Sequence, residues 1–418
     1  MKNIKTIFTL TLFALSANAI ALEPSNIIVF GDSLSDVGYQ NNLPADASLV
    51  KIPWPKGKEP TYTSNQYGTG DMQETGKVWS EDIAKYYDDK YKTTRFIGLT
   101  KTNNVDKPIN VINMLQNIAV SGDSNGENYA AGGATTKGTG IQIKVPISGK
   151  EVVLYSPPSL KDQVCQYLDG KKDKDTNAFI WDAQGNCQPQ KKADPNAEYI
   201  IWAGANDLLK FASNLNKSGQ MLAPNGTVIQ NDEQFKYYGA AIVKSAIINI
   251  SNEIKLLKSQ GAEHIIFIDL TDVSLTPLVP ELLKTNPKLP QLKEDFYVAV
   301  YSFAALANSY ISAAGEGIDL KMLRTDLLLD RIVSDKKISV YGENFTFNNV
   351  SDSACTPNKD MWSKTAITCD PTLNADGSTK KQLPVGYVFE DTVHPTSRVH
   401  AAIAKGVEEC IDTGTCPA

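Results

Sequence analysis

Ile27-Ile28-Val29-Phe30-Gly31-Asp32-Ser33-Leu34-Ser35-Asp36-Val37-Gly38 is the stretch whose reading decides the fold. Its first four residues form an apolar run bounded by Pro24 and Gly31. A short run of this kind between turn residues reads as a buried strand. Gly-Asp-Ser, followed by more Ser and Asp, predicts a strand-to-helix turn. Ser33 is then expected near a helix N-terminus, where free N–H groups and the positive dipole end favour developing negative charge. That position suits a nucleophilic serine. It equally suits a serine that only caps the helix, and the stretch alone leaves both readings open.

Working outward, three further apolar runs read as strands: Glu198 to Ala203, His264 to Leu270, and the shorter Asp319 to Leu323. Helical spacing appears over residues 78–87, 159–168, 234–259, 295–314 and 397–410. Apolar strands alternating with amphipathic helices predict a mainly parallel sheet covered on both faces, an α/β fold. Ligands of such sheets bind beyond the carboxyl ends of the strands. Ser33, the small-residue turn around Gly132-Gly133 and Asn206 in Gly204-Ala205-Asn206-Asp207 are all expected at that edge. Residues 39–76 lack periodicity and read as a surface excursion. Residues 94–125 read as a hairpin or as a second strand with an insertion. Polar or turn-rich insertions are expected at about 165–196 and 336–385. With no repeat and no clean linker, residues 22–418 are read as one domain.

The first residues read as a leader. Met1-Lys2-Asn3-Ile4-Lys5 is basic, and Thr6 to Ala17 is apolar but too short to span a bilayer. Small-residue sites then place cleavage after Ala19 or after Ala21, so residues 1–21 are expected to be a signal peptide and the protein secreted. The formal charge of −6 becomes −8 once Lys2 and Lys5 are lost. No basic stripe stands out, which argues against nucleic acid as a partner. Six cysteines, Cys165, Cys187, Cys355, Cys369, Cys410 and Cys416, make disulfides the default for an exported chain. Nearest-neighbour pairing gives Cys165–Cys187, Cys355–Cys369 and Cys410–Cys416. No Cys-x-x-Cys occurs and the three histidines are scattered, so neither metal nor other cofactor is expected.

A serine nucleophile needs a base, and only His264, His394 and His400 are available. His394 follows Asp391 by three residues in a loop pinned by Pro395. A carboxylate so placed can hold Nδ1–H, fix the tautomer and steady the imidazolium. His264 reads as a strand-end residue and His400 as a packing or surface residue of the next helix. Acyl transfer also needs donors at the developing oxyanion, and the N–H of Ser33, the N–H of Gly133 and the amide of Asn206 converge on that role. Gly122-Asp123-Ser124-Asn125-Gly126 matches the G-x-S-x-G elbow, but that motif requires a strand before and a helix after, and a Gly-Gly turn follows here.

These residues resemble the GDSL, or SGNH, hydrolases. Phe30 to Asp36 matches the family signature, and the four lettered positions fall on Ser33, Gly133, Asn206 and His394, with Asp391 completing a triad. Gly133 is placed by counting from Asn128, and Gly132 is the alternative. Gly76-Lys77-Val78-Trp79-Ser80, Asn128 to Ala134, Leu275-Thr276-Pro277 and Asn348 to Cys355 resemble the secreted bacterial phospholipases A and glycerophospholipid:cholesterol acyltransferases. The resemblance implies a three-layer α/β/α, flavodoxin-like SGNH fold. It implies a serine esterase acting on phospholipids or lysophospholipids in transient contact with a membrane surface, with cholesterol as a possible acyl acceptor. It further implies a disulfide-bonded loop that covers the site until a protease cuts it, with Cys355–Cys369 as first candidate and Cys165–Cys187 as second. A carbohydrate acetylesterase of the same fold and a non-catalytic lipid-binding protein are the alternatives.

Overall fold

The computed structural model describes residues 23–37, 78–100, 127–141, 143–147, 150–155, 157–176, 178–216, 218–354 and 386–417. The leader, the whole 39–76 excursion, Ser124, Cys355 and Cys369 lie outside the described residues.

Four strands form the central sheet: β1 (Ile27–Gly31), β4 (Glu198–Trp202), β5 (His264–Ile268) and β6 (Asp319–Leu323), in the order β1-β4-β5-β6 and all parallel. Their carboxyl ends align, Gly31 with Trp202, Trp202 with Ile268, and Ile268 with Leu323. On the free side of β1, residues 127–131 run parallel to it. The N–H of Val29 donates to Glu127 O at 2.9 Å, Tyr129 N to Val29 O at 2.8 Å and Ala131 N to Gly31 O at 3.1 Å. This small-residue segment extends the sheet beyond β1; of the 94–125 stretch, 95–100 form a 3-10 turn and 101–125 lie outside the described residues. The chain leaves β1 first to one side and then to the other, so β1 ends at the topological switch point where such sheets bind ligands.

Alternation along each strand splits the core into two layers. Ile28, Phe30, Tyr199, Ile201, Ile265 and Phe267 pack on one face, under α2 (Leu160–Tyr167), α3 (Ala205–Ala212), α4 (Asp232–Ser259) and α6 (Leu292–Ala314). Ile27, Val29, Ile200, Trp202, Ile266 and Ile268 pack on the other, under α1 (Trp79–Tyr91), α7 (Thr325–Asp335) and α8 (Ser397–Thr413). A helix α5 (Leu278–Thr285) precedes α6. This is the three-layer α/β/α arrangement with a mainly parallel sheet.

Local chemistry sets several helix boundaries. Asn231 caps α4, its side chain accepting from Gln234 N at 3.0 Å, so the helix starts two residues before the periodicity does. Ser159 and Asp162 form a reciprocal capping box on α2. The start of α7 is capped from another strand, with the Asp269 carboxylate accepting from Thr325 N at 2.7 Å.

The expectation of turn-rich chain from residue 336 is corrected over 336–354. A hairpin, β7 (Lys337–Val340) and β8 (Glu343–Thr346), turns on Tyr341 and Gly342, both at positive φ, and its Val340 and Phe345 are buried. Asn349–Ser353 then pairs in parallel with Tyr387–Phe389. β2 (Ile143–Ile147) and β3 (Lys150–Tyr155) form a separate antiparallel hairpin. Disulfides join Cys165 to Cys187 and Cys410 to Cys416.

Candidate active site

The end of β1 is tightly enclosed. A Cβ on Gly31 would lie 2.4 Å from Trp202 O, so only glycine lets β1 and β4 approach where the chain turns. Asp32 to Ser35 then make a turn, closed by Ser35 N donating to Asp32 O at 3.0 Å and Leu34 N to Asp32 Oδ1 at 3.1 Å. No helix begins within residues 32–37, which corrects the expected strand-to-helix transition. The helix end at this site belongs to α3. It starts at Ala205 beside the end of β4, with Asn206 in its first turn and Gly204 at φ +120° before it. The helical segments expected from the sequence do not include 205–212, and the positive dipole end comes from this neighbouring element.

Ser33 is buried, and its Oγ lies 2.8 Å from His394 Nε2. His394 Nδ1 lies 2.7 Å from Asp391 Oδ2. With Nδ1–H donating to the carboxylate, Nε2 is left bare to accept the serine hydroxyl. Asp391 Oδ1 also accepts from Val393 N at 2.8 Å and His394 N at 2.7 Å, so one carboxylate holds both the ring and its loop. The loop is fastened further by Glu390 N donating to His394 O and by Leu278 N donating to Thr392 O. His264 lies at the opposite edge of the sheet, where it starts β5 and meets Asp319 at 3.1 Å. His400 is fully buried in α8, where burial and the neighbouring His394 push it down to about 3, so it stays neutral.

Asn206 is buried, and its Nδ2 has no hydrogen-bond partner among the described residues. A buried amide left without an acceptor costs free energy, and this one belongs to a residue lining the same cavity as Ser33 and His394. The amide of Gly132 is committed to Asp36 Oδ2 at 2.7 Å. Gly133 sits at φ +79° and its amide has no acceptor among the described residues, which favours Gly133 over Gly132 as a donor. Gly133 does not line the cavity itself. Its loop is tied to α3 through Asp207, which accepts from Thr136 N at 2.9 Å and Thr136 Oγ1 at 2.7 Å. Burial raises the Asp207 carboxyl to about 6. The cavity is mainly apolar, walled by Leu34, Leu209, Val273, Leu329, Phe389 and Val393.

A family model described as GDSL-like Lipase/Acylhydrolase matches residues 27–407, from the first residue of β1 into α8. The chain belongs to this family. Among curated proteins, this GDSL hydrolase is similar to one described as a GDSL esterase/lipase of Arabidopsis thaliana. The two are 25% identical over 390 residues, covering 90% of this chain and 84% of the plant protein.

Three residues of the GDSL hydrolase site carry weight that the motif does not announce. Asp36 and Asp207 hold the Gly132-Gly133 loop from two sides. Gln163 of α2 is fully buried and bonds both polar groups of Gly31, accepting from its N–H at 2.9 Å and donating to its C=O at 2.8 Å. Its side chain thus grips the peptide two residues before Ser33. A carboxamide accepts through Oε1 and donates through Nε2 at once, which is what this peptide requires. Gln163→Leu is expected to lower the melting temperature and to slow serine phosphonylation per folded molecule by roughly 10–100-fold, as a displaced nucleophile does. Gln163→Met, which keeps the length of the side chain and loses both donor and acceptor, is expected not to restore the rate. Stopped labelling with a phosphonate, normalised to folded protein, checks both.

Proposed function

We propose that this GDSL hydrolase is a secreted serine esterase that removes acyl groups from phospholipids or lysophospholipids and can pass them to the hydroxyl of cholesterol. The observation that carries the reading is the bonded series Asp391–His394–Ser33 opening into an apolar cavity. Membership of a lipase and acylhydrolase family supports ester chemistry on lipid substrates. His394 Nε2 takes the Ser33 proton as Oγ attacks the ester carbonyl. The new C–O bond leaves a tetrahedral oxyanion, which the N–H groups of Ser33 and Gly133 and the amide of Asn206 receive. Collapse expels the alcohol or lysolipid, protonated by His394, and leaves an acyl ester on Ser33. Water or a sterol hydroxyl then attacks that ester, again giving its proton to His394, and the serine is regenerated.

Replacing Asn206 by Ala removes one oxyanion donor and is expected to cut kcat about 10²–10³-fold with KM little changed. Steady-state kinetics on a soluble ester decide it. The export reading rests on the leader and is compatible with the two disulfides. Amino-terminal sequencing of protein from the medium should begin at Ile20 or Leu22, and a chain starting at Met1 would remove it.

The central test is mass analysis of products from phospholipid vesicles with cholesterol, before and after limited proteolysis. Free fatty acid with cholesteryl ester is expected, rising on proteolysis. Acetate from acetylated sugar with no long-chain release would replace the reading by an acetylesterase. Failure of a serine-directed phosphonate to label the folded, cleaved protein would replace it by non-catalytic lipid binding.

A further inference from the structure

Among the described residues that line the Ser33 cavity, only Asp32 carries a carboxyl group. It directly precedes the nucleophile and is 1% exposed. Its two oxygens differ in what they meet. Oδ1 accepts from Leu34 N at 3.1 Å and so helps to close the turn. Oδ2 is buried and has no hydrogen-bond donor among the described residues. A buried carboxylate oxygen without a donor costs free energy and calls for an explanation.

The second half of the catalytic cycle supplies one. The acyl ester on Ser33 is resolved by an acceptor whose O–H gives its proton to His394 Nε2. An alcohol has a single O–H, and that bond satisfies it. Water has two, and its second O–H must also find an acceptor in a cavity that is mainly apolar. The threonine hydroxyls of the wall are already engaged, Thr276 Oγ1 donating to Val273 O at 2.7 Å and Thr271 Oγ1 to Thr325 Oγ1 at 3.3 Å. A carboxylate oxygen accepts about twice as strongly as a neutral group. The Asp32 carboxyl also lies close enough to the His394 ring to feel its charge.

We propose that Asp32 Oδ2 accepts the second O–H of the water that resolves the acyl-enzyme, and so sets how well water competes with an alcohol for the acyl group. This rests on the esterase reading above and concerns only its acceptor. The water oxygen attacks the acyl carbonyl. One proton goes to His394 Nε2 and, as the C–Oγ bond breaks, on to Ser33 Oγ. The other stays on the oxygen that becomes the hydroxyl of the free acid, held by Oδ2. An alcohol or sterol gives up its one proton in the same way and makes no use of Oδ2.

Burial raises the Asp32 carboxyl to about 7, opposed by Leu34 N–H and by His394 and helped by the Asp207 charge. Below that pH the group carries a proton and is the weaker acceptor; above it the charged oxygen holds water more firmly. His394 serves both acceptors alike, so its own titration cancels from their ratio.

The test gives the full chain a soluble nitrophenyl ester in water containing ethanol and measures ethyl ester against free acid. Asp32→Asn keeps an oxygen for Leu34 N and puts an NH₂ where Oδ2 stands. It is expected to raise the ratio of ethyl ester to acid at least about tenfold, with phosphonate labelling of Ser33 slowed no more than about threefold. In wild type the ratio is expected to fall as pH rises from about 6 to about 8, and Asp32→Asn to remove that slope. The ratio counts only molecules that have acylated, so misfolded protein does not enter it. A ratio that Asp32→Asn leaves unchanged would overturn the proposal. So would labelling that falls as far as hydrolysis does, the result a purely structural carboxyl predicts, and so would a pH slope that survives in the variant. Absence of both acyl products from wild type would remove the esterase reading and this proposal with it.

Discussion

Ser33→Ala is expected to lower kcat on any ester by about 10⁴–10⁶-fold and to abolish the phosphonate adduct, while the protein keeps its melting temperature. The size follows from the geometry. Oγ is the atom that His394 Nε2 meets at 2.8 Å, and removing it leaves the base, its carboxylate and the Asn206 amide in place with nothing to attack. The main-chain bonds that shape the turn involve Asp32, Leu34 and Ser35, so deletion of one hydroxyl does not disturb them. Soluble-ester kinetics, intact mass after phosphonate treatment and a thermal melt check the three parts together. If Ser33→Ala kept most of its turnover and Ser124→Ala lost it, the nucleophile would be the elbow-like serine instead.

Asp391→Asn is expected to cost about 10⁴-fold in kcat with the fold intact, as the same change does in the serine-protease triad. The loop survives because the amide oxygen of an asparagine can still accept from Val393 N and His394 N. The ring fares differently. An NH₂ group would now face Nδ1, where a carboxylate oxygen accepts at 2.7 Å. Nδ1 must then become the acceptor, the ring proton moves to Nε2, and Nε2–H points at Ser33 Oγ instead of receiving its proton. Circular dichroism and the thermal melt should match wild type, so the lost rate isolates the tautomer from the scaffold.

Much of this arrangement was legible in the order of residue types. The strands at Ile27, Glu198, His264 and Asp319 are apolar runs between turn residues, and burial on both faces leaves little choice of side-chain type. Ser33, Asn206, Asp391 and His394 fell out because a chemistry with few compatible residues was sought in a chain with three histidines. What stayed hidden was set by partners distant in the chain. Nothing in Gly-Ala-Asn-Asp announces a helix, yet Gly204 at positive φ leads into α3, whose first-turn Asp207 is held by Thr136, 71 residues earlier. α7 begins where Asp269 caps it, 56 residues upstream. Gln163 has no local signature, since the two bonds that hold Gly31 reach a peptide 132 residues away. The β7–β8 hairpin was readable, because Ile338, Val340 and Phe345 alternate around a two-residue turn ending in Gly342. It was obscured by Tyr341, a residue type seldom found at a positive-φ turn position.

The 2.8 Å contact between Ser33 and His394 joins residues 361 positions apart, and that separation has a meaning during biosynthesis. At ordinary ribosomal speeds the histidine emerges roughly 20–70 s after the serine. Until then a growing chain has its nucleophile but no base, and so cannot attack an ester. Competence arrives with the last stretch of translation.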